Sequence, residues 1–135
     1  MIVTRKLAWM ATAAALIAVP ALAKVDMLPD YAYDMVAEVT MAATADQKCQ
    51  GIKARSKRVE KHVLALYQKL MKEGISVQDA VEHLQGEAAL AEIARREKDL
   101  RERHGVAAQG DEALCAAIRA EARENDAVAD LMRIR

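Results

Sequence analysis

The chain has 135 residues, 53% of them hydrophobic but only 3% aromatic and none of them Phe, which leaves room for one domain with an unusual core. Lys+Arg and Asp+Glu both number 20, so the overall basicity of a nucleic-acid binder is missing. These figures exclude a multidomain enzyme, a disordered tail and a collagen-like chain.

Residues 1–23 have the three parts of a secretory signal peptide. Arg5 and Lys6 supply the positive start, Leu7 to Val19 is uncharged and mostly apolar, and Pro20 precedes the small-x-small sequence Ala21-Leu22-Ala23. The run is shorter than the roughly 20 apolar residues that span a bilayer. The expectation is therefore cleavage, a periplasmic domain over residues 24–135, and no stable membrane span. No Cys follows Ala23, so a lipid anchor is not indicated. Cleavage would remove two bases, no acids and Trp9, leaving 18 Lys+Arg against 20 Asp+Glu. The core must then be built from Leu, Ile, Val, Met and many Ala, which suits close helix packing.

Helical periodicity recurs along this chain and strand alternation does not. Asp30 after Pro29 is placed to cap a first helix through Tyr33, Val36, Ala37, Met41 and Thr44. A second helix, about Ile52 to Glu73, carries Ile52, Val59, Val63, Leu66 and Leu70 on one side, and Gly74 stops it. Ser76 starts a short third helix with Val81 and Leu84 inward, ended by Gly86. A fourth runs from Glu87 to His104-Gly105 with Leu90, Ile93, Ala94, Glu97 and Leu100 along one side. A fifth runs from an Asp111 cap through Leu114, Ile118, Ala122, Val128, Leu131 and Met132. Gly105 to Gly110 is the only clear loop, and no internal repeat is present. The fold class is an all-α, single-domain bundle of about five helices.

Two cysteines in an exported chain are read first as a disulfide. Cys49 lies between the first and second helices and Cys115 in the first turn of the last. The other reading, thiols for metal or redox work, has neither a CxxC pair nor a haem-attachment motif behind it.

Cys49-Gln50-Gly51-Ile52-Lys53-Ala54-Arg55, the Gly74-Ile75-Ser76 break, Arg103-His104-Gly105-Val106, and Leu114-Cys115 followed by Arg119, Glu121 and Leu131-Met132-Arg133 form a further pattern. Over Cys49 to Arg135 it resembles a small family of exported alphaproteobacterial proteins of unknown function. The resemblance implies an exported, helical, two-cysteine domain. It brings no activity, cofactor or catalytic residue with it.

Signals for catalysis are sparse. Beyond the signal segment the only serines are Ser56, which lacks a nucleophile-elbow context, and Ser76, taken by its cap. His62, His83 and His104 are isolated, with no spacing that puts two imidazoles on one helical face. A glycosidase cleft would need two facing carboxylates and commonly aromatic platforms, which are lacking here. Met27, Met35, Met41, Met71 and Met132 do not cluster as Met-x-x-Met, so they read as core filler rather than copper ligands. Glu92–Arg96, Glu97–Arg101 and Asp99–Arg103 at i, i+4 read as a solvated helix face.

The strongest remaining feature is charge placement. Lys48 to Lys72 holds eight bases and the single acid Glu60, whereas residues 24–47 hold one base and five acids and residues 73–135 hold nine and fourteen. Lys53, Lys57, Arg58, Lys61, Lys69 and Lys72 fall opposite the apolar stripe of the second helix. They form a candidate docking surface for an acidic envelope protein or an anionic envelope polymer. Pairing with acids such as Asp30, Asp34 or Glu38 inside the fold, or plain solvation, is the simpler account of them, because surface charge costs little. The functional expectation is a non-catalytic periplasmic interaction, accessory or chaperone-like module without a cofactor. The alternative is a small enzyme or metal-handling protein whose site forms only in three dimensions.

Overall fold

A computed structural model of the chain describes residues 27–106 and 110–135. The signal segment expected at 1–23 lies outside the described residues, as do 24–26 and the middle of the Gly105–Gly110 loop. The order is α1 (Asp30–Lys48), β1 (Ile52–Ala54), α2 (Ser56–Lys72), α3 (Val77–Leu84), α4 (Glu87–Arg103), α5 (Asp111–Glu124), α6 (Asp126–Leu131) and β2 (Met132–Ile134). The architecture is all-α as expected, with six helices among the described residues rather than five and a two-stranded ribbon in addition.

The helix α1 is the spine, packed against α2, α4, α5, α6 and β1. Ala32, Ala42 and Ala45 on it are fully buried, so neighbouring backbones come close without large side chains between them. Two hydrophobic cores result, one at each end of α1. Toward its C-terminus Ala42, Ala45, Cys49, Ile52, Leu100, Leu114, Ala117, Ile118, Val128, Leu131 and Met132 pack around the disulfide. Toward its N-terminus Leu28, Ala32, Tyr33, Leu66, Leu70, Ala80 and Ala89 form the second. Cys49 and Cys115 are bonded, with S–S 2.05 Å and Cα atoms 5.5 Å apart, across 66 residues of chain.

Several element boundaries follow the expected signals. Ser76 Oγ accepts the Asp79 N–H at 3.1 Å and caps α3. Gly74, at φ 83°, ends α2, and the Ile75 N–H returns to the Leu70 carbonyl at 3.0 Å.

Other boundaries need correction. Pro29, not Asp30, holds the cap position of α1, and Asp30 is the first helical residue. Gly110 likewise precedes α5 and Asp111 begins it, where an acid suits the positive helix end. Ile52 to Ala54 is strand rather than the first turn of the second helix. Gly51 turns the chain at φ 79°, where a Cβ would stand 3.3 Å from the Arg135 carbonyl, and its own carbonyl accepts the Arg135 N–H at 2.8 Å. The Ala54 N–H is taken by Asp46 Oδ1 at 3.0 Å and the Arg55 N–H by the Leu131 carbonyl at 2.8 Å, so helical bonding begins only after Arg55. The long fifth helix breaks at Asn125, whose side chain accepts from Ala127 and Val128 and starts α6. The chain then leaves α6 extended at Met132, and Ile52 pairs with Ile134, Lys53 with Arg133 and Ala54 with Met132 in antiparallel register.

The charged face of α4 also does more than meet solvent. Glu92–Arg96 and Glu97–Arg101 pair at 3.5 and 3.3 Å, but Asp99 pairs with Arg95 at 3.1 Å instead of Arg103. Arg96 reaches across to Asp30 and Asp34 of α1, and Arg103 to Glu121 of α5. These contacts tie α4 to both neighbours.

Candidate functional site

The six bases singled out from sequence do not share one face. Lys53 belongs to β1, 4.0 Å from Asp46, and Arg58 pairs with Asp130 of α6 at 3.1 Å. Lys69 lies over the Tyr31 ring at 3.8 Å from its centroid, and that phenol donates to Glu73 at 2.7 Å. Lys57, Lys61 and Lys72 are exposed, with no carboxylate partner among the described residues. Asp30, Asp34 and Glu38 pair with Arg96 and His62, not with the bases of α2.

The ribbon adds cations that sequence reasoning missed. Lys53, Arg55, Lys57, Arg58, Arg133 and Arg135 surround one open depression of about 510 Å³ at the start of α2, with Ser56 in its wall. Arg133 and Arg135 come from the far end of the chain, and the alternation Arg133-Ile134-Arg135 was the signal, since a strand turns both bases to one side. Among the described residues, Arg55, Lys57, Arg133 and Arg135 have no carboxylate partner. Two features of this depression work against folding. Lys53 stands directly across the ribbon from Arg133, a like-charge pair that a sheet disfavours. The first turn of α2 has no acid and carries Lys57 and Arg58 where the helix dipole favours negative charge.

The three histidines go to separate partners. Tyr33 Oη accepts the Leu28 N–H at 3.2 Å and is hydrogen-bonded to His83 Nε2 at 2.6 Å. His62 Nε2 approaches Glu38 Oε2 at 2.9 Å, off the line of a hydrogen bond. His104 Nε2 lies 2.7 Å from Glu121 Oε2, and because an ionised carboxylate only accepts, this nitrogen carries the proton. Among the described residues no three His, Cys, Asp or Glu side chains are placed to hold one metal ion. The methionines are dispersed too, with Met132 buried, Met35 and Met41 packed on different cores, and Met27 and Met71 exposed.

Glu38 and Glu121 nevertheless line a common cleft of about 620 Å³ with Asp34, Arg96, Asp99 and Arg103. Their environments diverge. Burial raises the Glu38 carboxyl above its ordinary value, with His62 pulling it down and Asp34 and Glu121 pushing it up. Burial also pushes Glu121 upward, but the hydrogen bonds from His104 and Asn125 and the charge of Arg103 outweigh it and hold the group low.

Fold and surface together define a disulfide-braced, all-α domain with a cationic depression at one end. The chain belongs to a family of unknown function (DUF5333), whose model matches residues 28–133. That span takes in α1, which the resemblance drawn from Cys49 onward did not include. No curated protein and no solved structure matches the chain. Among the described residues no helix is long and apolar enough to cross a membrane.

Proposed function

We propose that this protein is an exported, non-catalytic interaction module of the periplasm that docks an anionic partner of the cell envelope through the depression at the start of α2. The observation that carries the reading is the gathering of Arg55, Lys57, Arg133 and Arg135 without carboxylate partners, at a cost to both ribbon and helix. Charge that the fold does not use, and would be more stable without, is charge for something outside it. Dispersal of His62, His83 and His104 onto three different partners favours this reading over a small enzyme or metal handler. Export is supported by the features of residues 1–23 and by the disulfide, which belongs in an oxidising compartment. The alphaproteobacterial setting implied by the sequence resemblance is part of the same reading.

The test is capture of poly-glutamate, a soluble polyanion, by the mature chain at low and high salt. Wild type is expected to bind and to release as salt rises, because exposed charges are screened beyond about 8 Å at physiological ionic strength. Arg55→Glu with Arg133→Glu is expected to abolish capture with unchanged helical circular dichroism; full capture by this variant overturns the reading. For export, the intact mass of periplasmic protein should correspond to a chain starting at Lys24, without the fluorescence of Trp9. A cytoplasmic species retaining Trp9 would refute it.

A further inference from the structure

We propose that the anionic partner is a lipid surface: the outer face of α2 and the depression at its start lie together on the headgroup layer of an anionic bilayer, with Leu64 and Met71 entering its edge. This rests on the docking reading above and names the occupant. Leu64 and Met71 are 54% and 52% exposed. They stand seven residues apart, two helical turns, and so share one stripe. Lys57, Lys61 and Lys72, all exposed, lie about 30°, 70° and 90° from the middle of that stripe at 100° per residue, all on the same side of it. Glu60, the one acid of α2, lies about 30° from the middle on the side away from the lysines, so the cations flank the apolar pair on one side only. Lys57 also lines the depression, which makes the stripe and the Arg55, Arg133 and Arg135 cluster a continuous cationic surface.

The shape of this surface decides between occupants. A soluble polyanion satisfies the cations but offers nothing to two exposed apolar side chains. A headgroup layer offers phosphates at one level and the acyl boundary just beneath, and the long lysine stems reach from one to the other. Charges spread along a helix of 17 residues, about 25 Å, suit a plane better than a compact ligand. With two apolar anchors and no aromatic one on the stripe, the contact is shallow and reversible rather than an insertion.

The experiment is co-sedimentation of the mature chain with phosphatidylglycerol-containing vesicles, with pure phosphatidylcholine vesicles and poly-glutamate binding measured in parallel. Wild type is expected to bind the anionic vesicles, ignore the neutral ones and dissociate at high salt. Lys57→Gln, Lys61→Gln and Lys72→Gln should each lower vesicle binding about fivefold. Leu64→Ser with Met71→Ser should lower it about tenfold while leaving poly-glutamate binding unchanged. Both side chains are exposed, so circular dichroism should not move. Binding to poly-glutamate without binding to anionic vesicles overturns the lipid assignment and leaves the docking reading standing, with an acidic protein as the partner class. Vesicle binding indifferent to Leu64→Ser with Met71→Ser also overturns it. Failure to bind either probe removes both readings.

Discussion

Glu121 is the one buried charged residue among the described residues, 5% exposed in a core of mostly aliphatic side chains. Its neutralisation has to be local, and His104 at 2.7 Å, Asn125 at 3.3 Å and Arg103 at 3.4 Å provide it. Because its folded-state value is held below the ordinary 4.5, its contribution to stability is present above that pH and is lost as pH falls through the depressed value. Glu38 runs the other way. Its raised value means that ionising it counts against the fold as pH climbs past the ordinary carboxylate range. Glu121→Gln should therefore lower stability at neutral pH by about 2 kcal/mol, since buried His104 loses a charged acceptor. The variant should also flatten the acid side of the melting-temperature profile. A profile below pH 4.5 as steep as that of wild type would show that other carboxylates govern acid unfolding. Lys57 makes the complementary case on the surface. Lys57→Glu puts an acid in the first turn of α2, where the dipole favours it by about 0.3–1 kcal/mol, so thermal unfolding should stay level or shift upward while poly-glutamate capture falls. A drop in melting temperature would mean that the lysine serves the fold.

At the level of elements, legibility in the sequence followed how local the determining interaction is. The Ser76 cap and the Gly74 stop act within a few residues and were readable from them. The ribbon was not, because Ile52 to Ala54 and Met132 to Ile134 are three residues each and only their pairing across the molecule makes them strands. Taken alone, Ile52 continues the apolar period of α2 and Met132 that of α5, so both were absorbed into helices. The same blindness hid Arg133 and Arg135 from the candidate site, while Lys57 and Arg58 were found because they stand on a genuine helix. Lys53 lines the same depression, but from β1 rather than from the helix to which its spacing assigns it. The break at Asn125 was legible in principle, since Asn followed by Asp inside a helical run is a cap signal. Asn125 also donates to Glu121, so its side chain joins the α5–α6 corner to the buried carboxylate. Asn125→Ala should cost about 1 kcal/mol for the cap, and Asn125→Asp less, because Asp caps as well. If the two variants melt together, the corner is held by the packing of Val128 and Leu131 rather than by the cap.

For the whole molecule the question is what holds so aromatic-poor a core. Each half is small, and α1 and α4 both contribute buried residues to each. The disulfide fixes the C-terminal end of α1 to α5 and encloses β1, α2, α3 and α4 in the loop between its cysteines. Arg119, one helical turn beyond Cys115, donates to the Gln50 carbonyl next to Cys49, so the same junction is held twice. In the chain-entropy model a loop of 66 residues is worth about 4 kcal/mol. Set against the 5–15 kcal/mol that domains possess in total, that is a large share. Cys49→Ser with Cys115→Ser should therefore lower the melting temperature by roughly 15 °C or more. The loss should appear mainly as a shift in the unfolding transition, with helical circular dichroism at low temperature preserved, because the bridge acts chiefly on the unfolded chain and both sites are otherwise packed. Quantitative thiol labelling of unreduced, denatured wild type should find no free cysteine. The two results together would make the bridge a structural brace. A double variant that melts with wild type would assign the stability to the alanine-lined packing of α1 alone, and labelled thiols in wild type would place the mature protein in a reducing environment.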